Sequence, residues 1–248
     1  MIIIKRDTQI ELMRKAGKIV MLTIELLEKY LKEGTTTLEL DTIAYEFIKS
    51  KGAKPSFLGY RGFPASINCS INEVIVHGIP SLRKLCNGDI IGIDIGVNLN
   101  GYHGDAARTY GIGEISNENL KLINTAKKCF FEGIKFAQHK NHLNQVCKAI
   151  EETASSNGYN VALEFIGHGI GKNLHEEPDI PNFDMKKRGP RLYKGMTLAI
   201  EPMVNMGSGE SIILNDGWTA ITKDKKNSAH YENTILITDG EPEILTIW

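Results

Sequence analysis

Apolar positions fall first into a helical period. Over residues 7–32 they recur as Ile10, Met13, Ala16, Val20, Ile24, Leu27 and Leu31, the three-to-four spacing of an amphipathic helix. Gly34 follows as a stop. Thr36-x-x-Glu39 has the form of a capping box opening a second helix, which Gly52 closes. A strand-and-loop region then carries His77-Gly78, followed by an almost wholly apolar strand over residues 88–96. The same order returns. Ser116 can cap a helix running to about Gln138, and a shorter helix over residues 143–157 ends at Gly158. Another strand-and-loop region carries His168-Gly169, and a second apolar strand spans residues 195–203. A period of roughly 100 residues is too long for a solenoid. It predicts one domain over residues 1–248, built from two pseudo-symmetric halves at about 1–113 and 114–248.

Each apolar strand contains one acid that breaks its pattern. Asp94 lies in Gly-Asp-Ile-Ile-Gly-Ile-Asp-Ile-Gly at 88–96, and Glu201 in Gly-Met-Thr-Leu-Ala-Ile-Glu-Pro-Met at 195–203. Burying a bare carboxylate costs several kcal/mol, so each acid requires a cation or a strong partner. Strand alternation puts Gly92, Asp94 and Gly96 on one face, and Thr197, Ala199 and Glu201 on one face of the other strand. Small neighbours leave room for an ion beside each carboxylate. A buried Arg or Lys is the competing partner for either acid alone; two such acids at matching positions favour one shared cationic site.

Asn100-Gly101 is a two-residue hairpin signal. A turn there pairs Asp105 with Gly96, making Asp94 and Asp105 diagonal neighbours about 7–8 Å apart at Cα. Two carboxylates so placed repel unless a divalent cation lies between them. A bulge would change this register. Glu232, before an expected strand at 233–238, and the glycine-rich run Phe165-Ile-Gly-His168-Gly-Ile-Gly171, are ambiguous alone. His175-Glu-Glu-Pro-Asp179 is not the HExxH zinc motif. His103, His139 and His142 are expected at the surface or behind the site.

Composition narrows the class. The 248 residues are 42% hydrophobic and 24% charged, with formal net charge −1. That is an ordinary globular balance without the basic footprint of a nucleic-acid or anionic-membrane binder. No apolar run reaches the ~20 residues of a membrane span. The cysteines, Cys69, Cys86, Cys129 and Cys147, form no CxxC pair and read as reduced thiols of a cytoplasmic protein.

Several stretches together resemble the type I methionine aminopeptidases of bacterial kind. They are Ser70-Ile-Asn-Glu-Val-Ile-Val-His77-Gly-Ile-Pro80, Ile93-Asp94, Tyr102-His-Gly-Asp105, Gly167-His168-Gly-Ile-Gly171, His175-Glu-Glu-Pro178, Ile200-Glu-Pro-Met-Val-Asn205, Asp216-Gly-Trp218-Thr and Tyr231-Glu232-Asn-Thr234. The resemblance covers nearly the whole chain. It implies a pita-bread α+β fold, antiparallel sheet with flanking helices, and removal of N-terminal methionine from newly made proteins.

The resemblance also implies the site. Its five metal ligands fall on Asp94, Asp105, His168, Glu201 and Glu232; Asp105 and Glu232 would bridge two ions, Asp94 would chelate one, and His168 and Glu201 would bind the other. Four carboxylates balance two divalent ions, and oxygen-rich ligation suits Mn²⁺, Fe²⁺ or Co²⁺, with Zn²⁺ also in the candidate set. Glu201 would shuttle a proton, His175 would donate to the oxyanion and His77 would hold the substrate backbone. Tyr60, Phe63 and Trp218 would wall the substrate pocket. Phe57 and Asn68 stand where cysteines are familiar in some members, Leu174 where phenylalanine is common, and His230 where glutamine is. N-terminal Met peptides or nascent chains, with transient ribosome contact, would be the partners of a monomer. A proline-directed peptidase, a ligand-free binding paralogue and an unrelated metal hydrolase such as a phosphatase are the rivals.

Overall fold

A computed structural model describes residues 1–247; Trp248, the last residue of the expected domain, lies outside the described residues. Four helices run α1 (Asp7–Glu28), α2 (Thr37–Ser50), α3 (Asn117–Ile134) and α4 (Leu143–Ser156). Thr36 and Glu39 close the expected capping box reciprocally, each side chain accepting from the other's backbone N–H. Ser116 caps α3 through the Asn119 N–H. Two helices end earlier than the apolar period suggests. After Glu28 the chain tightens, Tyr30 N–H donating to Leu27 O and Leu31 N–H to Glu28 O. Past Ile134, Phe136 and Ala137 make the same kind of short turn. Periodicity marks the buried face and is blind to such 3₁₀ closures.

Each half lays its helix pair over antiparallel strands. In the first half the ten-residue strand Ile90–Leu99 is central. It pairs with Tyr102–Gly111 on one edge, and with Lys54–Pro55 and Asn68–Ile71 on the other. In the second half the order is Glu243–Ile244, Asn233–Leu236, Thr197–Ile200, Gly167–Gly169, Glu176–Ile180. Two three-stranded sheets complete the strands of the described residues, one of which crosses the halves by pairing Val74–Val76 with Ala220–Thr222. One apolar core lies beneath α1 and α2, including Val20, Ile24, Leu27, Leu40, Ile48, Ile91 and Ile93. A second lies beneath α3 and α4 around Phe130, Val146, Ile150, Leu198 and Ile235.

The hairpin register is the expected one. Asn100 and Gly101 both take positive φ, 52° and 85°, the backbone of a type I′ turn. Gly96 therefore faces Asp105 and Asp94 faces Ala107. Three other expectations need correction. Glu201 is not mid-strand: the strand stops at Ile200, because Pro202 has no N–H to donate, and Met203–Asn205 joins a different sheet. The strand after Glu232 is likewise shorter, Asn233–Leu236. The space beside Gly96 is also not open. A Cβ there would lie 2.7 Å from the Phe57 ring and 2.8 Å from Ser56, so Phe57 fills the position.

Helix α1 crosses the Tyr102–Gly111 strand where two glycines meet. A Cβ on Gly104 would come within 2.8 Å of the Gly17 backbone N, and one on Gly17 within 2.2 Å of Leu245 O. Replacing a mid-helix glycine by alanine ordinarily stabilises by about 0.5–1 kcal/mol. Here backbone blocks the new methyl, and overpacking of about 1–3 kcal/mol should win. Gly17→Ala should therefore lower the urea midpoint; an unchanged or raised midpoint would show that the Leu245 backbone yields to the methyl.

Candidate functional site

A seam between the halves sets the site. The Asp105 N–H donates to Thr234 Oγ1 (3.0 Å), and the Thr234 hydroxyl donates to Asp105 O (3.0 Å). Glu232 N–H donates to Ala107 O at 2.9 Å. Thr109 Oγ1 accepts the His230 N–H and donates to His230 O, each at 2.9 Å. Arg108 donates to Glu232 O and to Asn233 Oδ1, with its guanidinium 4.2 Å from the Tyr231 ring centre. The Tyr102–Gly111 strand of the first half thus holds residues 230–234 of the second in register.

That register gathers carboxylates. Asp94, Asp105, Glu201 and Glu232 meet at the floor of one cavity with His168. Asp94, Asp105, His168 and Glu232 are buried, and the Glu201 side chain is 11% exposed. His168 Nδ1 sits 2.8 Å from Gly169 O, so it must carry the proton, leaving the Nε2 lone pair facing Glu201 Oε1 at 3.5 Å. Asn68 donates to Asp94 Oδ2 at 2.6 Å.

Burial drives the titration of these groups. It raises all four carboxyls; next in size come the charge of Glu232 for Asp105, of Asp94 for Glu201 and of Glu201 for Glu232. Asp94 rises to about 7 through burial, against the hydrogen bonds of Asn68 and Asp105. Burial lowers His168 and His77 to about 4. It also holds His175 down, with the neighbouring His168 adding to the effect.

The donor set fits divalent ions. Among the described residues, the buried side-chain atoms without a hydrogen-bond partner are Asp94 Oδ1, Asp105 Oδ1, His230 Nε2, Glu232 Oε1 and Asn233 Nδ2. Four of them face the carboxylate cluster, where native interiors rarely leave such atoms unpaired. Two trios have ligand atoms within 4.8 Å of one another: Asp94, His230, Glu232, and Asp105, His168, Glu232.

Above this floor the cavity, of about 170 Å³, is walled by Phe57, Phe63, Phe165, Leu174 and Trp218, with Tyr60, His77 and His175 among its polar edges. Every residue expected from the sequence lines it, including Asn68. Phe63 and Trp218 pack edge to face at 5.2 Å, and His77 stands similarly against Phe165 at 5.5 Å. His77 takes a φ of 60°, a strained conformation for a non-glycine residue. The His175 ring centre lies 4.2 Å from that of His168 with the rings tilted by 58°, and its Nδ1 lies 2.7 Å from the Tyr60 hydroxyl. Sequence reasoning missed Arg61, Val76, Phe165 and Ile166 as lining residues. Adjacency to Tyr60, His77 and Gly167 was the available signal. His230 was singled out in the sequence for standing where glutamine is common in the resembled family, and not as a site residue.

The other histidines lie outside the cavity. His103 is buried rather than at the surface, held between Ser56 Oγ and Asn98 Nδ2 at 2.8 Å each. His142 Nδ1 meets Gly189 O, and His139 Nδ1 accepts from Lys194 N–H. No helix of the described residues is long and apolar enough to cross a membrane. The four cysteines are free.

Residues 11–239 match the profile of metallopeptidase family M24. The chain belongs to that family. It is 54% identical over 248 residues to the methionine aminopeptidase of Clostridium acetobutylicum, covering 100% of this chain and 99% of the relative. The solved methionine aminopeptidase of Thermotoga maritima is 41% identical, superposes with a TM-score of 0.98, and matches 100% of both chains. The prolidase of Pyrococcus furiosus, at 24% identity and a TM-score of 0.82, shares the fold; 99% of this chain matches 66% of that one. The architecture is the α+β pita-bread fold that the sequence implied.

Buried acids and buried histidines pull pH stability in opposite directions. The histidines are lowered, so their contribution is present above about 6.5 and lost as pH falls toward about 4. The carboxyls are raised, so theirs is present below the ordinary 3.8–4.5 and lost as pH rises through about 7 and beyond. Above pH 6.5 only the second effect remains. The melting temperature of EDTA-stripped protein should fall from pH 7 to pH 9, and Mn²⁺ should restore it. A flat profile without metal would contradict the carboxyl cluster described.

Proposed function

We propose that the protein hydrolyses the first peptide bond of chains beginning with methionine, releasing the free amino acid. The observation carrying this reading is the union of two features in one cavity. Its floor is a cage of buried carboxylates and imidazole, and its walls are aromatic and aliphatic. A cavity of about 150 Å³ can hold a benzene-sized apolar group, a scale that suits the flexible methionine thioether. Family membership and near full-length relatives named methionine aminopeptidase point the same way.

Asp94, Asp105, His168, Glu201 and Glu232 would hold two divalent ions, drawn from Mn²⁺, Fe²⁺, Co²⁺ and Zn²⁺. Ions bound there supply Lewis acidity and lower the pKa of the attacking water. Glu201 takes the water's proton and returns it to the leaving amine. Tyr60 can donate its hydroxyl proton to His175 Nδ1, which leaves the hydrogen on Nε2, free to donate to the carbonyl oxygen as negative charge develops. His77 holds the substrate backbone beside the scissile bond. Phe57, Tyr60, Phe63, Asn68, Leu174 and Trp218 shape the methionine pocket. The chain works as one catalytic domain, a cytoplasmic monomer meeting nascent chains in passing contact with the ribosome.

Met-Ala-Ser should be cleaved, lose cleavage after EDTA and regain it with separately added Mn²⁺, Fe²⁺, Co²⁺ or Zn²⁺. Leu-Ala should be a far poorer substrate than Met-Ala; equal rates would remove the pocket assignment. His175→Ala should lower kcat by about 10²–10³-fold with metal content unchanged. Normal kcat in that variant would remove the oxyanion role.

A further inference from the structure

His230 occupies a place that the proposed chemistry does not use. It ends the Ser228–His230 strand, is 3% exposed, and pairs with Met203 across the sheet. Its backbone is clamped from the other half by the Thr109 hydroxyl on both N–H and C=O. Its Nε2 has no hydrogen-bond partner among the described residues. That atom faces Glu201 Oε2 at 3.7 Å and Glu232 Oε2 at 3.8 Å. These separations exceed a hydrogen bond. The Glu232 separation suits two donors on one ion, since ligand bonds of about 2.0–2.2 Å allow donor atoms to lie up to about 4.4 Å apart.

The surroundings give that nitrogen a defined role. The two trios of mutually close donors share Glu232, and each contains one imidazole: His168 with Asp105 in one, His230 with Asp94 in the other. A neutral imidazole adds no charge, so four carboxylates still balance two dications.

We infer that His230 Nε2 is a sixth protein ligand of the metal centre, binding the ion held by Asp94 and Glu232, so that each ion has one imidazole nitrogen. This deepens the metal reading proposed above and rests on it. A nitrogen at both subsites moves the Asp94 subsite away from a purely oxygen-ligated environment and toward ions that accept imidazole, such as Fe²⁺, Co²⁺ and Zn²⁺. Against an all-oxygen subsite, Mg²⁺ and Ca²⁺ should compete poorly there.

The test uses the full chain loaded with two equivalents of Co²⁺. Proton NMR should show two hyperfine-shifted, exchangeable imidazole N–H resonances, and His230→Gln should lose one of them. Titration against a chromophoric chelator should show one of two Co²⁺ affinities weakened more than about 100-fold in that variant, beyond the about 10–100-fold expected of a residue that only orients a ligand. A single shifted imidazole in the unmodified protein would overturn the inference, and that measurement does not depend on the variant folding. Co²⁺ affinities equal in the two proteins would overturn it as well. Cleavage of Met-Ala-Ser by the loaded unmodified protein is read separately. An active protein with one coordinated imidazole sinks this inference alone; an inactive one with two sinks only the proposed reaction.

Discussion

Four carboxyl groups crowd into one buried space, and this constraint governs the rest of the molecule. Asp94 and Glu232, and Asp105 and Glu232, bring ligand atoms within 4.8 Å of each other. At an effective dielectric near 20, two like charges about 4 Å apart repel by about 4 kcal/mol. A few such pairs would match the about 5–15 kcal/mol by which a whole domain is stable. All four groups therefore cannot be ionised together without cations. The chain meets this with neutrality in either state: burial raises the carboxyls so that they keep protons, and divalent ions can take the protons' place.

The cage needs a frame that resists its repulsion, and the frame is backbone. Asp105 and Glu232 belong to different halves, yet Thr234 bonds both backbone atoms of Asp105, and Ala107 O receives the Glu232 N–H. Main-chain groups fixed this way cannot drift apart without leaving buried donors unpaired, at about 1–3 kcal/mol each. The glycine crossing at Gly17 and Gly104 presses α1 onto the same Tyr102–Gly111 strand from behind. Packing, seam and cage are thus successive layers over one strand.

How far the sequence discloses this depends on distance along the chain. The diagonal placement of Asp94 and Asp105 was legible because Asn100-Gly101 fixes a hairpin register locally. The helices were legible by period and cap, except at their 3₁₀ ends. Glu201 was misplaced within its strand because apolar continuity outweighed Pro202, although the missing N–H was there to be read. The room expected beside Gly96 was misjudged for another reason: Phe57, far off in sequence, fills it. Alternation shows which way a side chain points and not what comes to meet it. The convergence of His168, Glu232 and the aromatic wall has no local signal, and was reached only through resemblance to a family.

The opposite shifts of acids and imidazoles suit one another chemically. Desolvation disfavours charge of either sign, so the environment that keeps carboxyls protonated also keeps His168, His77 and His230 neutral. Neutral imidazole is the form that offers a lone pair to a cation, and the form that can still donate one hydrogen without bringing positive charge. A more solvated cleft would have protonated histidines competing with the ions for the same carboxylates. The depth of the cavity therefore does two jobs: it excludes water from the apolar walls, and it holds the imidazoles of the floor neutral while its carboxyls keep protons that only divalent ions displace.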